Sequence, residues 1–357
     1  MLGVNPLPEQ NILALKLAKQ IGGNGPISLA EYMRQSNEEY YNISDPLGKE
    51  GDFITAPEIS QIFGELVGIW FADIWMRSGE KNNINYVELG PGRGTLAKDI
   101  LSVIARYGCT PPVHFVETSD ALRVKQTQNC PNAIFHDKID DLPENGPLFI
   151  IANEFFDALP INQAVQTHSG WREFVVARDR GNQFLAMPGT KDAGSYIPEE
   201  FKNASPHSLY EYCPDAANIM YELTRRVKEQ GGLILVIDYG YMKPQLGSTL
   251  QAVANHKSVS AFNEPGTMDI TAHVNFLELG NIARIGNLQV QGPIEQGIWL
   301  KNLGADIRAE TLSAANPDQR DVIMQAKERL VHPEQMGSLF KVMAVLHNDL
   351  PRAEGFG

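Results

Sequence analysis

The chain has 357 residues, of which 43% are hydrophobic and 20% are charged, and its formal net charge is −13. This composition is ordinary for a globular protein and excludes an intrinsically disordered chain. Nucleic-acid binding requires a positive surface, so the acidic balance argues against it. No run of about 18 apolar residues is present, and we therefore expect no membrane span.

The N-terminal segment and the cysteines indicate the compartment. Residues 1–16 lack the basic start and apolar stretch of a signal peptide, and they are not Arg-rich like a transit peptide. Cys109, Cys130 and Cys213 are widely spaced and include no C-x-x-C pair, which argues against a disulfide framework and a cysteine zinc site. We expect a cytoplasmic protein without a metal site.

The first 80 residues are predicted to be helical, with loops between the helices. Pro26-Ile27-Ser28 followed by Glu31 predicts a helix start with Ser28 as the cap. A loop rich in Gly, Asp and Pro then leads into an apolar helix over residues 60–77.

Short apolar strands alternate with helices between residues 84 and 152. The strands are predicted at 84–89, 113–117, 133–135 and 148–152, and helices at 95–107 and up to about 128. This rhythm indicates an α/β fold with a doubly wound, mostly parallel sheet.

The order changes after residue 160. Residues 163–187 alternate as antiparallel strands do, with turns at 168–170 and 180–182, and we interpret this stretch as an insertion. A loop region marked by Gly and Pro is expected after Asp238. The remaining predicted elements are helices at 215–229 and 273–284, strands at 233–237, 288–291 and 339–346 (the last antiparallel), and a helical stretch at 297–330 that is a lid or an accessory subdomain.

The first predicted strand ends in a glycine-rich turn, Glu88-Leu-Gly-Pro-Gly-Arg-Gly-Thr95. Backbone N–H groups at such a turn face a ligand above it, and glycine lets the ligand approach the backbone. The spacing Gly-x-Gly-x-Gly differs from the dinucleotide fingerprint. A carboxylate directly before the turn suits a cofactor with an ammonium group and no phosphate, which favours S-adenosylmethionine (SAM).

Other side chains around the turn extend this prediction. Glu88 and the glycines are assigned to the methionine end of the cofactor, and Glu117, at the end of the second strand, to the ribose hydroxyls. A turn that only packs a helix on a sheet is the alternative. The predicted contacts in this region are Glu88, Gly90, Pro91, Gly92, Gly94, Thr95, Glu117 and, with adenine, Asp137.

A dehydrogenase is the alternative for the cofactor class. Tyr239 and Lys243 have the Tyr-x-x-x-Lys spacing of short-chain dehydrogenases, in which the pair lies on one helix face. Gly240 and Pro244 oppose a helix here, so this alternative is less favoured.

The fourth predicted strand is followed by Asn153-Glu-Phe-Phe-Asp-Ala-Leu-Pro160. This edge of a doubly wound sheet faces the reacting end of the cofactor, and packing explains polar Asn153 and Glu154 poorly. A helix start capped by Asn153 is the alternative.

With these motifs the chain resembles the MidA-type SAM-dependent methyltransferases, a family that includes a mitochondrial arginine methyltransferase involved in respiratory complex I assembly. One departure is Ser36-Asn-Glu-Glu-Tyr-Tyr41, where the family often has His-Pro-x-x-Gly-Tyr-Tyr. The resemblance covers most of the chain and is carried by residues 45–48, 51–60, 63–65, 88–95, 153–160, 236–240, 265–266, 269–274 and 336–341.

The resemblance implies a class I, Rossmann-like methyltransferase fold with a seven-stranded sheet, a helical N-terminal extension and inserted accessory elements. It also implies that residues 51–60 fold over the cofactor, with Thr55, Pro57 and Asn153 as cofactor contacts and with Phe53 and His273 as substrate contacts. The predicted organisation is an extension (1–80), the first part of the SAM-binding domain (81–162), an antiparallel insertion (163–210), the second part of the domain (211–296), a helical accessory or lid segment (297–335) and a final strand with the tail (336–357).

The predicted reaction is methyl transfer from SAM to an arginine nitrogen in a partner protein, with a respiratory complex I subunit suggested by the family. Because the planar fork of arginine binds carboxylates bidentately, acids beside the methyl group would orient it. We predict Glu154 as the first acid and Asp157 or Glu58 as the second. Methylation of a small molecule, and an assembly factor that binds SAM without turnover, remain open alternatives, as does an oligomeric state.

Overall fold

The structure is a computed structural model that describes residues 11–43, 55–81, 83–181, 183–254 and 257–357. Within these ranges no helix is both long enough and apolar enough to cross a membrane. The helices are α1 (Ile12–Asn24), α2 (Leu29–Ile43), α3 (Ala56–Ile59), α4 (Gln61–Arg77), α5 (Thr95–Ala105), α6 (Asp120–Asn129), α7 (Pro214–Gln230), α8 (Phe276–Ile285), α9 (Gln296–Asn302), α10 (Ala305–Ala315) and α11 (Arg320–Val331). The strands are β1 (Ile27–Ser28), β2 (Asn85–Leu89), β3 (Val113–Val116), β4 (Ile134–His136), β5 (Leu148–Asn153), β6 (Asn162–Thr167), β7 (Gly170–Arg178), β8 (Phe184–Asp192), β9 (Leu209–Tyr212), β10 (Gly232–Tyr241), β11 (Gln251–Ala254), β12 (Lys257–Val259), β13 (Asp269–Thr271), β14 (Val274–Asn275), β15 (Gln289–Glu295) and β16 (Phe340–Leu346).

The chain forms two compact units. The first comprises Met1–Ser44, Pro160–Tyr212 and Leu246–Thr271, and the second comprises Asp45–Leu159, Cys213–Gln245 and Ala272–Gly357. The partition predicted from the sequence groups residues 1–80 together, whereas the chain passes from the first unit to the second after residue 44. Residues 246–271 join the antiparallel insertion in the first unit.

The second unit is built on a seven-stranded sheet with the order β15-β16-β10-β5-β2-β3-β4, and β14 adds a short pair to β10. The pairs from β4 to β10 are parallel, and β16 runs antiparallel to both of its neighbours. This is the doubly wound, mostly parallel sheet that the sequence predicts, including its antiparallel final strand. The strand order reverses between β2 and β5, and ligands of such sheets bind beyond the carboxyl ends of the strands at this point.

Helices cover both faces of this sheet. One face packs against α4 and α5 around Phe71, Tyr86 and Phe149, and the other packs against α7 and α8 around Met220 and Phe276. The strands β5 and β10 are buried almost throughout, which explains their continuous apolar sequences. The sheet thereby holds the ends of β2, β5 and β10 as a rigid edge.

The helical segment α9–α11 belongs to the core on the α4 face. Trp299 is fully buried, and its ring centroid lies 6.1 Å from that of Trp70. Arg308 of α10 forms a bidentate ion pair with Glu65 of α4, with both nitrogen–oxygen distances at 2.7 Å. The segment is thus packed into the second unit near both of its ends, whereas residues 314–322 between them are exposed.

The first unit contains the antiparallel insertion. Its larger sheet has the order β1-β7-β6-β9, with β8 paired to β7. The predicted turn at 168–170 joins β6 to β7, and Ser28 accepts the predicted capping hydrogen bond from the Glu31 N–H at 3.1 Å. The region after Asp238 was expected to be a loop, but it contributes β11, β12 and β13. These strands have only three or four residues each, too few for alternation to show between the glycines and prolines.

Candidate active site

The glycine-rich turn connects β2 to α5 in the second unit. Gly90, Gly92 and Gly94 have φ values of 58°, 56° and 78°, in the left-handed region where glycine avoids a steric cost. Gly94 precedes α5, and no side chain caps the helix there. The N-terminal N–H groups of α5, which begins at Thr95, therefore remain available to a ligand above the turn.

Glu117 is linked to this turn through Gln126. The Glu117 carboxylate accepts a hydrogen bond from the Ser119 N–H at 2.8 Å and another from the Gln126 amide at 3.0 Å. The same amide donates to the Gly92 carbonyl at 2.8 Å. Burial raises the pKa of Glu117. The Thr118 backbone N–H also bonds to this carboxylate. A carboxylate has about four acceptor positions, so Glu117 keeps capacity for a further hydroxyl donor.

Glu88 and Asp137 lie in different surroundings. Glu88 is buried at the end of β2, where the Tyr86 hydroxyl donates to it at 2.7 Å and burial raises its pKa to about 8. Asp137 is exposed and forms an ion pair with Arg123 at 2.6 Å. Arg123 also donates to the Glu117 carbonyl at 2.9 Å, so this side chain links Asp137 to Glu117.

The polar turn after β5 carries the predicted catalytic acids. Glu154 has a φ of 50°, and its N–H donates to the Ile237 carbonyl at 2.9 Å. Its carboxylate accepts hydrogen bonds from the Ala56 N–H at 3.0 Å and from the Asn153 amide at 3.2 Å. Burial raises the pKa of Glu154 to about 7, the charge of Asp157 adds to this effect, and these hydrogen bonds oppose it.

Two acceptor atoms in this turn are buried and unused. Asn153 Oδ1 and Asp157 Oδ1 have no hydrogen-bond partner among the described residues. Burial raises the pKa of Asp157 to about 6, while a hydrogen bond from the Tyr239 side chain opposes the rise. Leaving a buried acceptor unpaired costs about 1–3 kcal/mol. Such atoms at an active-site edge therefore suit a ligand that brings hydrogen-bond donors.

The short helix α3 bridges the two turns. Thr55 precedes it, Pro57 lies in its first turn, and the Ala56 N–H contacts Glu154 as described above. Glu58 accepts a hydrogen bond from the Thr95 hydroxyl at 2.5 Å. The segment predicted to cover the cofactor therefore contacts both the end of β5 and the start of α5. Phe53 lies outside the described residues.

His273 follows Ala272, whose N–H donates to the Asp157 carbonyl at 3.0 Å. Its ring centroid lies 5.5 Å from that of Tyr239, in an edge-on arrangement. Burial lowers the pKa of His273, and the charge of Lys341 adds to this effect. The imidazole is thus held neutral near the acid turn.

Sequence reasoning gave no role to Asp238, although it is fully buried at the end of β10. Its carboxylate accepts the N–H groups of Phe156 and Asp157 at 3.0 and 3.2 Å. The available signal was an acid directly after the most apolar strand, since a buried carboxylate needs specific partners. Tyr239 and Lys243, considered above as a dehydrogenase pair, share no helix, because β10 continues to Tyr241.

Comparison with known proteins identifies the family. Residues 66–294 match the model of a family described as "Putative S-adenosyl-L-methionine-dependent methyltransferase". The chain belongs to this family. It is 36% identical over 369 residues to human "Protein arginine methyltransferase NDUFAF7, mitochondrial", and the match covers 92% of this chain and 82% of that protein. The Drosophila melanogaster homolog is 36% identical over 375 residues, with 93% and 84% covered.

A solved structure supports the fold of this methyltransferase. A protein from Burkholderia thailandensis, bound to S-adenosyl-homocysteine, matches it with a TM-score of 0.84 at 23% identity, covering 99% of this chain and 97% of that one. The class I methyltransferase fold and the family resemblance predicted from the sequence are confirmed.

The cofactor of the methyltransferase is SAM, and the residues present fit it. The glycine turn adopts left-handed φ values directly before the uncapped N-terminus of α5. Glu117 retains acceptor capacity, and Asn153 Oδ1 has no hydrogen-bond partner among the described residues. Within the described ranges, no group of three or more His, Cys, Asp or Glu side chains is arranged to hold a metal ion.

Proposed function

We propose that this methyltransferase methylates a nitrogen of an arginine side chain in a partner protein. The observation that carries the proposal is a set of acceptors after β5, which consists of the Glu154 and Asp157 carboxylates and the Asn153 amide oxygen. The Oδ1 atoms of Asn153 and Asp157 have no hydrogen-bond partner among the described residues. A guanidinium has five N–H donors in a planar fork and no acceptor, so it matches such a set. The human and Drosophila melanogaster relatives are named protein arginine methyltransferases, and these names support arginine as the acceptor.

The acids orient the acceptor and receive its proton. SAM, when bound, would supply an electrophilic methyl group on a sulfonium, whose carbon–sulfur bond would break as S-adenosylhomocysteine leaves. Glu154 and Asp157 hold the guanidinium in line and offset its charge. When the new N–C bond forms, the nitrogen loses a proton, and a carboxylate with a pKa near neutrality is suited to accept it. Their pKa values of about 7 and about 6 satisfy this requirement.

Other residues hold the cofactor end of the site. We assign Glu88 and the N–H groups of the glycine turn to the methionine end, Glu117 to the ribose and Asp137 to a contact near adenine. Asn153 adjoins both cofactor and substrate. The Glu58–Thr95 hydrogen bond fixes α3 over the site, which helps to exclude water.

We propose a protein as the acceptor, with a respiratory complex I subunit as the partner suggested by the family. We also propose that the protein is located in the cytoplasm, as expected from the sequence. The partner is tested by finding which protein carries the label in the experiment below.

The first prediction concerns Glu154→Gln, which removes the charge but keeps an oxygen for the Ala56 N–H. We expect methyl transfer to be lost, while S-adenosylhomocysteine binds within a few-fold of the wild-type affinity. Transfer is measured with methyl-labelled SAM and a cell extract depleted of the enzyme, followed by identification of the labelled residue. Binding is measured by isothermal titration.

Glu310→Gln, an exposed change of the same kind on α10, is the control and should behave as wild type. Near-wild-type turnover of the Glu154 variant would remove this residue from the mechanism. Label in a small molecule instead of an arginine would contradict the proposed acceptor. Binding of NAD(P)H without binding of S-adenosylhomocysteine would favour the dehydrogenase alternative instead.

A further inference from the structure

Two consecutive residues at the end of β10 contact the turn that carries the acids. Asp238 Oδ2 accepts the N–H groups of Phe156 and Asp157, and Asp238 Oδ1 accepts the Tyr239 N–H at 2.9 Å. Asp238 thus holds the backbone of the turn through Oδ2, while Oδ1 bonds to the next residue of its own strand. The Ala272 N–H fixes the other side by donating to the Asp157 carbonyl at 3.0 Å.

Tyr239 contacts the side chain of Asp157. A hydrogen bond from the Tyr239 side chain acts on the Asp157 carboxylate, together with the backbone N–H groups of Asp157 and Ala158. Asp157 Oδ1 has no hydrogen-bond partner among the described residues. The ring of Tyr239 is held edge-on to His273 and to Phe340, with centroid distances of 5.5 and 5.4 Å.

We propose that Asp238 and Tyr239 are positioning residues of Asp157, the second acid of the site. Asp238 sets where the Asp157 backbone lies, and the Tyr239 hydroxyl sets the plane of the carboxylate, so that Oδ1 stays directed to the acceptor. A planar guanidinium needs a carboxylate of fixed orientation, because its N–H groups form a rigid fork. The proposal rests on the proposed function, since it assigns these residues to the arginine side of that site.

Tyr239→Phe tests the hydroxyl alone, because it keeps the ring between His273 and Phe340. In the wild type the Tyr239 hydrogen bond stabilises the charged form of Asp157 and lowers its pKa. The variant lacks this bond, so the Asp157 pKa should rise. We expect the acidic limb of the pH–rate profile to move to higher pH and KM for an arginine peptide to rise roughly tenfold. The affinity for S-adenosylhomocysteine should stay within twofold.

Tyr221→Phe, at an exposed position on α7, removes a hydroxyl far from this contact and serves as the control. Asp238→Asn provides a second variant. Asparagine keeps only one acceptor oxygen, so it can bond to the Phe156 and Asp157 N–H groups or to the Tyr239 N–H but not to both sets. Turnover should therefore fall even where binding of S-adenosylhomocysteine shows a folded protein.

A readout without substrate separates this inference from the proposed function. Carboxyl-carbon NMR of the unliganded enzyme reports the Asp157 titration directly. A raised Asp157 pKa in Tyr239→Phe supports the positioning role whichever acceptor is methylated. An unchanged pKa, with unchanged KM, overturns it. Absence of methylarginine in the wild-type assay instead overturns the proposed function alone.

Discussion

The most unusual backbone in the site belongs to the residue expected to do the most chemistry. Glu154 has a φ of 50°, although it is not glycine. A left-handed conformation costs an L-residue about 1–2 kcal/mol, and residues held there often lie at functional sites. The hydrogen bonds from its N–H to Ile237 and from Ala56 to its side chain maintain this geometry.

A prediction about stability follows from this strain. Glu154→Gly and Glu154→Ala both remove the carboxylate, but only glycine relieves the backbone. We expect the glycine variant to have a free energy of unfolding about 1 kcal/mol higher than the alanine variant. Chemical denaturation of both inactive variants measures the difference. Alanine equal to or more stable than glycine would show that residue 154 is not left-handed.

At this scale the sequence predicts types of residue better than their contacts. Glu88, the glycines and Glu117 follow from a strand, a turn and the next strand, which are local patterns. The bond from Asp238 to the 156–157 backbone joins residues more than 80 positions apart. No spacing rule contains such a contact, so the role of Asp238 emerges only from the fold.

At the scale of elements, the strands and helices of the parallel sheet were predictable because each has a strong apolar period and clear turns. The predicted strand over 148–152 corresponds to β5, and the helix over 215–229 to α7. The short strands β11–β13 were not predictable, since three or four residues between glycines and prolines show no period. The place of α11 in the second unit also depends on tertiary packing.

The C-terminal end of α11 carries a charge that affects Glu154 in the turn after β5. Helix α11 contacts α3, and Arg329 in its last turn is exposed, with a charge that lowers the pKa of Glu154. Arg329→Gln should therefore raise the pKa of Glu154 and move the acidic limb of the pH–rate profile to higher pH. The shift should shrink at high salt, because an exposed charge is screened.

Arg320→Gln is the matched control for this prediction. It removes the same charge at the other end of α11, about 13 Å away at 1.5 Å per helical residue. The pH–rate profile should remain that of the wild type. Equal shifts in both variants would mean that Arg329 acts through net charge and not through its position near Glu154.

At the scale of the whole molecule, the two units differ in what they contribute to the predicted site. Every site residue predicted from the sequence that the structure describes lies in the second unit, from Thr55 and Glu58 to His273. The first unit supplies the antiparallel sheet and the helices α1 and α2. Although its segments interrupt the second unit twice, the strand order of the parallel sheet is complete without them.

This division predicts where the cofactor stabilises the chain. Ligand that binds only the native state stabilises it by about 2.7 kcal/mol at one hundred times its Kd. We expect S-adenosylhomocysteine to slow hydrogen exchange in peptides covering the turns at 88–95 and 153–158, because their N–H groups become protected. Peptides from β6–β8 should exchange at nearly the unliganded rate. Hydrogen exchange followed by mass spectrometry measures the rates of both sets of peptides with and without S-adenosylhomocysteine. Gly92→Val adds a bulky side chain at a left-handed position of the turn, so S-adenosylhomocysteine should no longer slow exchange in the variant. Protection confined to β6–β8 would place the cofactor outside the glycine turn and remove the basis for assigning Glu88 and Glu117.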